Sequence, residues 1–274
     1  MTISVKPLDG PLGAEISGLD VRNITAEDSK ALLDAFNAYH LLILHGPTIT
    51  DAELVDLGRC FGHIEKARVK SPLSDRDDIM VISNIRQNGE LVGSLPDGEM
   101  SYHFDRIHQA QPCKGAALHG LEIPVEGGDT CFANMVRAYE TLPEATKQRI
   151  EGLKALNTFT YGATKRDGKT DELGPHAIHP LVRRIPETGK RALYVCRLMT
   201  DHIVGMPEEE SAALLTELCD HIEFSGLIYQ HRWSVGDIVI WDNRCTSHAR
   251  TDFSDKERRL MKRVTIGDTV PPLQ

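Results

Sequence analysis

The chain has 274 residues, 41% of them hydrophobic, enough for one large core or two small ones. Its 40 acidic and 31 basic side chains are interspersed and leave a formal charge of −9, with no basic tract of the kind that grips nucleic acid. No stretch reaches the roughly 18 apolar residues of a membrane span, the N-terminus lacks an apolar signal-peptide core, and the six Cys form no CxxC pair, which argues against a zinc ribbon or disulfide framework and for reduced thiols in a cytoplasmic protein.

Thr25-Ala26-Glu27-Asp28 reads as a capping box with Asp in the usual Glu place, and Leu32, Leu33 and Phe36 follow at helical spacing. "HLLILHG" (40–46) reads as a buried strand, and Thr50-Asp51-Ala52-Glu53 as a second capping box opening a helix through about Cys60. "DDIMVISNI" (77–85) predicts another strand, Asn88-Gly89 a type I′ hairpin turn, and "LPDGEMS" (95–101) a surface loop. "KGAALHGLEIP" (114–124) predicts a strand. "MVRAYETLPEATKQRIEGL" is helical, restarted at Pro143, and Pro207 starts the helix of "PEEESAALLTELCDHIEF". "GLIYQHRW", a turn at Ser234-Val235-Gly236, "DIVIWDN" and "LMKRVTIGD" make the last part dense in strand. Short strands with turn signals, and helices mostly outside that run, predict an antiparallel β-sandwich or jelly roll with flanking helices.

A His two places before an acid occurs three times: His63-Ile64-Glu65, His103-Phe104-Asp105 and His221-Ile222-Glu223. The composition makes such pairs easy to obtain by chance, so geometry must separate them. His221 and Glu223 fall on a helix, where positions i and i+2 diverge. His63 and Glu65 follow a helix with no assignable geometry. His103 and Asp105 lie between a loop and further strand, and on a strand i and i+2 share a face, so both can converge on one ion. A two-histidine, one-carboxylate iron site needs a third group. His248 is the candidate: the apolar strand Ile238–Trp241 runs into Asp242-Asn243-Arg244, and a short loop then presents the imidazole, unless it is merely a surface histidine. Downstream, Arg259, Met261 and Arg263 alternate along a strand, with Leu260 and Val264 on the other face. The two arginines lie about 13 Å apart at roughly 3.3 Å per residue. They could grip two separate anions through paired hydrogen bonds, or form a solvated charged edge with "DKERR".

"HFD" with "EIPVEGGDTCFANMVRAYETLP", "HPLVRRIPETGKRALYV", "HRWSVGDIVIWDNRCTSHAR" and "RRLMKRVTIGD" resembles, in order and over nearly the whole chain, the TauD/TfdA family. These are Fe(II)- and 2-oxoglutarate-dependent dioxygenases, among them taurine dioxygenase and 2,4-dichlorophenoxyacetate dioxygenase. The resemblance implies a single domain over 1–274, a double-stranded β-helix (jelly-roll) core and an active-site lid around 63–102. It implies that His103, Asp105 and His248 hold iron, that Thr130 and Arg259 bind the far carboxylate of 2-oxoglutarate, and that Arg263 grips an anionic prime substrate. Three protein ligands leave three positions, two for 2-oxoglutarate and one for water and then O2. The expected outcome is succinate, CO2 and a hydroxylated small anionic substrate (a sulfonate, sulfate ester or aryloxyalkanoate), with C–S or C–O cleavage where the new hydroxyl sits beside sulfur or oxygen. Family members form dimers or tetramers, so a homo-oligomer is expected.

The substrate pocket departs from taurine dioxygenase. Ala67 stands in place of a His, Glu99 in place of Asn and Met199 in place of an aromatic, and Arg106 follows Asp105 where a small apolar residue is usual. Arg106 either pairs with Glu99 or solvent, or adds a second cation beside the iron. His202 either lines the pocket or is structural, and Met199, Leu198 and Tyr102 supply an apolar wall. Gly127-Gly128 reads as a plain turn, and Trp241, Asp242 and Asn243 as shaping the strand exit. A cupin-like isomerase or hydrolase would not need Thr130 and Arg259, and a non-catalytic protein of the same fold would have lost a ligand.

Overall fold

Both predicted capping boxes form. In the computed structural model, which describes residues 3–46, 49–67, 69–95, 98–159 and 174–273, the Thr25 hydroxyl accepts the N–H of Asp28 while the Asp28 carboxylate accepts the N–H of Thr25. Thr50 and Glu53 repeat the exchange, so each helix start has two of its otherwise unpaired donors satisfied.

The elements run β1 (Ser4–Pro7), β2 (Ala14–Ser17), α1 (Ala26–Tyr39), β3 (Leu41–Leu44), α2 (Asp51–Arg59), β4 (Ile64–Glu65), β5 (Met80–Ser83), β6 (Arg86–Gln87), β7 (Glu90–Leu91), β8 (Met100–His103), β9 (Gly115–Glu122), β10 (Thr130–Asn134), α3 (Met135–Glu140), α4 (Glu144–Ile150), β11 (Lys154–Thr158), β12 (His176–Pro180), β13 (Val182–Arg184), β14 (Arg191–Leu193), β15 (Thr200–Ile203), α5 (Glu208–Phe224), β16 (Ile228–His231), β17 (Ile238–Asp242), β18 (Thr246–Arg250) and β19 (Leu260–Ile266). Pro143 and Pro207 stand at the N-caps of α4 and α5, as predicted. Asn88 and Gly89 have φ of 52° and 85°, the two positive values a type I′ turn requires, and they join β6 to β7.

Eight strands form one sheet in the order β1-β2-β3-β17-β9-β19-β4, with β5 also on β19, and four form a second in the order β16-β10-β18-β8. Within them only β2 and β3 pair in parallel. The central strands of the larger sheet are apolar on both faces because both are covered. Leu42 and Ile240 pack under α1 and α2 with Phe36 and Leu54, while Leu41, Ile43, Val239 and Trp241 turn toward Phe132 of the second sheet. Burying each such side chain contributes about 1.5–3 kcal/mol. A third cluster joins the outer face of the second sheet to α3 and α5.

The result is a mixed sheet-and-helix fold, mainly β as expected. No strand pairing links the two sheets among the described residues, so the barrel expected of a jelly roll is not closed. Two predicted loops are strands. Part of "LPDGEMS" belongs to β8, with Pro96 and Asp97 outside the described residues, and the segment presenting His248 is β18. Arg68, within the expected lid, is also outside them. Among the described residues no helix is long and apolar enough to cross a membrane.

Candidate active site

The three His-x-acid pairs part as geometry demands. His221 meets the Ala138 carbonyl and Thr141 while Glu223 turns to Arg197, and Glu65 pairs with Arg106. His103 ends β8 directly opposite His248 on β18, their ring centroids 4.2 Å apart. Asp105 lies just past β8, with one oxygen 4.0 Å from His103 Nε2 and the other 3.6 Å from His248 Nε2. One ligand atom from each of the three lies within 4.8 Å of the others. His248 is 7% exposed and sits mid-strand, not on a loop. β18 reads "TSHAR", with no apolar alternation to mark it, because its inward side chains face a polar site.

The supports fix each ligand. The Ser101 carbonyl lies 3.0 Å from His103 Nδ1. A carbonyl only accepts, so the proton sits on Nδ1 and the Nε2 lone pair points to the centre. Trp241 and Phe132 flank His248. Asn243, in the turn between β17 and β18, accepts the Asp105 N–H at 2.8 Å and donates to the Asp105 carbonyl at 3.0 Å. It does more than shape the strand exit, since it clamps the carboxylate-bearing turn. The only sequence signal for this was its place in "WDNR". Asp242 is instead held by Arg244.

Burial, then the neighbouring His103, pushes His248 down to about 3, and burial also lowers His103. Burial, the largest influence, raises Asp105, but Arg263 and the two histidines together outweigh it and hold the carboxyl at about 2. The site therefore presents two neutral imidazoles and one carboxylate at neutral pH, the donor set of a facial triad for a divalent metal.

His40, His103, His179, His231 and His248 are all lowered by burial from 6.5. Between the folded and unfolded values the unfolded chain binds the extra protons. Stability from these groups is therefore full above about pH 6.5 and is lost as pH falls, each adding a slope of up to about 1.4 kcal/mol per pH unit. Urea midpoints of the metal-free protein should hold from pH 7.5 to about 6.5 and fall from there to about pH 5; a flat profile would show that these imidazoles are not held neutral.

A cavity of about 60 Å³ adjoins the triad, with Thr130, Trp241 and Arg259 in its wall. Thr130 Oγ1 accepts Trp233 Nε1 at 3.0 Å, which leaves the hydroxyl proton free to donate. Arg259 is 3% exposed. Among the described residues its Nε has no hydrogen-bond partner, and its guanidinium makes one long bond, 3.4 Å, to the Gly128 carbonyl and lies 5.7 Å over the Phe253 ring. Burial and the nearby Arg250 lower it to about 9, so an arriving carboxylate would satisfy donors already in place. The turn at Gly127-Gly128 is real, with φ of 75° and 68°, and it is also tight. A Cβ on Gly127 would come 2.1 Å from the Asp252 carbonyl, and one on Gly128 3.3 Å from Arg259 Nε. The residues fit a 2-oxoglutarate carboxylate. Sequence reasoning missed Trp233, whose partner is 103 residues away. Trp233→Phe should raise the 2-oxoglutarate KM roughly 2- to 10-fold, the value of one hydrogen bond, with the prime-substrate KM unmoved; equal shifts in both would make Trp233 a packing residue only.

A second cavity, about 360 Å³, opens on the triad, with Met100, Leu198, Met199, Arg106 and Arg263 in its wall and Ala67 at one side. Arg263 grips both Asp105 oxygens, at 2.9 and 2.8 Å. Arg106 pairs with Glu65, not with Glu99, which is exposed. Tyr102 alternates to the face away from His103, beside Cys131, and His202 is exposed with Asp201. Neither is in that wall.

Residues 4–265 match the family model described as "Taurine catabolism dioxygenase TauD, TfdA family". The chain is 30% identical to pentalenolactone F synthase of Streptomyces arenae, over 96% of this chain and 94% of that one. It is also 30% identical to (S)-phenoxypropionate/alpha-ketoglutarate-dioxygenase of Sphingobium herbicidovorans, over 94% and 92%. The crystal structure of AAD-2 in complex with Mn(II) and N-oxalylglycine superposes with a TM-score of 0.85 at 28% identity, covering all of both chains. With its triad assembled between two sheets and its likeness spread over the whole length, the chain belongs to the TauD/TfdA family and is a 2-oxoglutarate-dependent dioxygenase.

Proposed function

We propose that the protein uses Fe(II), 2-oxoglutarate and O2 to hydroxylate a small anionic substrate with an apolar body, giving succinate and CO2. The observation that carries this reading is a pair of buried arginines beside one triad, Arg259 in the wall of the smaller cavity alone and Arg263 in the walls of both. Among the described residues Arg259 has no carboxylate partner in the smaller cavity, and Arg263 stands where the larger, mostly apolar cavity meets Asp105. In this reading His103, Asp105 and His248 hold the iron, which supplies O2 activation and C–H oxidation when bound. Thr130 and Arg259 orient the co-substrate through its far carboxylate, and Arg263 takes the anionic head of the prime substrate. Met100, Leu198 and Met199 exclude water around its body. Met80 and Leu95, from the expected lid, add to that wall. The two stacked sheets are read as the two halves of a double-stranded β-helix.

A phenoxypropionate-named relative and the apolar wall favour aryloxyalkanoates, with sulfonates and sulfate esters as the other arms of the test. Succinate is measured with Fe(II) and 2-oxoglutarate against that panel, with His103→Ala as control. Stimulation by at least one class, absent in the control, is expected; background turnover with every acid would remove the oxygenase reading.

A further inference from the structure

Two arginine–carboxylate pairs cross the gap between the sheets side by side. Arg263, on β19 of the larger sheet, holds Asp105, which follows β8 of the smaller one. Arg106, the next residue, pairs with Glu65 on β4, the edge strand of the larger sheet and the neighbour of β19. Glu65 lies opposite Thr265 in that ladder, and Arg106, Arg263 and Thr265 all line the 360 Å³ cavity. Arg106 has φ of 58°, a left-handed conformation uncommon outside glycine, so the turn after Asp105 holds its backbone in a strained position. The side chains of Arg106 and Glu65 are 18% and 28% exposed, and solvent screens their attraction only in part.

We propose that the Glu65–Arg106 pair determines the charge pattern of the substrate: one anionic group at the Arg263 end and an uncharged group at the Arg106 end. This rests on the reading of the larger cavity as the prime-substrate site. The closed pair carries no net charge. A second anion arriving there meets an Arg106 already neutralised by Glu65, and an ammonium meets the Arg106 cation; either must break the pair and strand one half-buried charge. Selectivity is then a difference in affinity set by what the wall rejects.

The test uses the full chain loaded with redox-inert Mn(II) and 2-oxoglutarate, and reads binding by calorimetry. The probes are 4-phenylbutanoate and its 4′-carboxy and 4′-aminomethyl derivatives. The unaltered protein should bind the first about tenfold tighter than either of the others, the scale of one mismatched charge at a partly buried pair. Glu65→Gln leaves Arg106 as a bare cation and should shift preference toward the dicarboxylate by about tenfold. Arg106→Gln leaves Glu65 bare and should shift it by a similar factor toward the aminomethyl probe. Exchanging the pair, Glu65→Arg with Arg106→Glu, should restore preference for the uncharged end, which separates loss of the pair from loss of the fold. The same charge preference in both single variants as in the unaltered protein overturns the proposal. Binding of no probe to any variant overturns instead the assignment of this cavity to the substrate.

Discussion

Asp105→Ala should abolish 2-oxoglutarate-dependent product formation and, separately, destabilise the metal-free protein by about 3–5 kcal/mol. The first effect removes one of three ligands that the chain brings together from β8, the turn after it and β18. The second has nothing to do with metal. Arg263 is 7% exposed, one terminal nitrogen donates to Asp105 Oδ1 and the other lies 2.8 Å from Oδ2, and among the described residues its Nε has no hydrogen-bond partner. Without the carboxylate it becomes a lone buried cation, which costs far more than a surface pair is worth. Asp105→Ala combined with Arg263→Met should therefore recover most of the lost stability and none of the activity. Urea unfolding of metal-free protein and calorimetric metal titration separate the two effects. Near-normal product from Asp105→Ala would remove Asp105 from the ligand set; unchanged metal-free stability would mean that Arg263 has another acceptor within reach.

How much of this was legible in the sequence depends on the range of the interaction. His103 and Asp105 were legible because two residues on a strand share a face, a rule internal to three positions. Arg259 and Arg263 were legible for the same reason, and both line the site. The capping boxes and the Asn88-Gly89 turn are equally local. β18 was not legible as a strand: its pattern of polar residues is dictated by the metal site it lines and by two partner strands, β10 and β8, far away in the chain. The clamp of Asn243 on Asp105 spans 138 residues, and that of Trp233 on Thr130 spans 103. Arg106 shows the same limit from the other side. The sequence offered Glu99 as its partner, yet its partner is Glu65, because the fold, not the local sequence, brings the edge strand β4 beside the turn after β8.

Arg259→Ala should raise the 2-oxoglutarate requirement about a hundredfold or more, since removing one partner of a buried Arg–carboxylate pair costs roughly 2–5 kcal/mol. The affinity for the prime substrate should barely move, because Arg259 lines the smaller cavity and is absent from the wall of the larger. The stability outcome should run opposite to that of Asp105→Ala. In the metal-free protein Arg259 sits 3% exposed beside Arg250, with one long bond to Gly128 and an unpartnered Nε. Deleting that cation relieves a desolvation cost that the Gly128 carbonyl, the Phe253 ring and Asp129 offset only in part, so the unfolding midpoint should hold or rise as co-substrate binding collapses. Arg259→Lys should fall between, since an ammonium keeps the charge but not the two parallel bonds a guanidinium makes to a carboxylate. Steady-state KM values for both substrates, with thermal melts of the metal-free variants, read all three effects. An unchanged 2-oxoglutarate KM would place the anchor elsewhere, and a falling melt would show that Arg259 is a structural cation. The contrast with Asp105 marks the physical difference between a charge already paired in the resting protein and one held unpaired for a ligand.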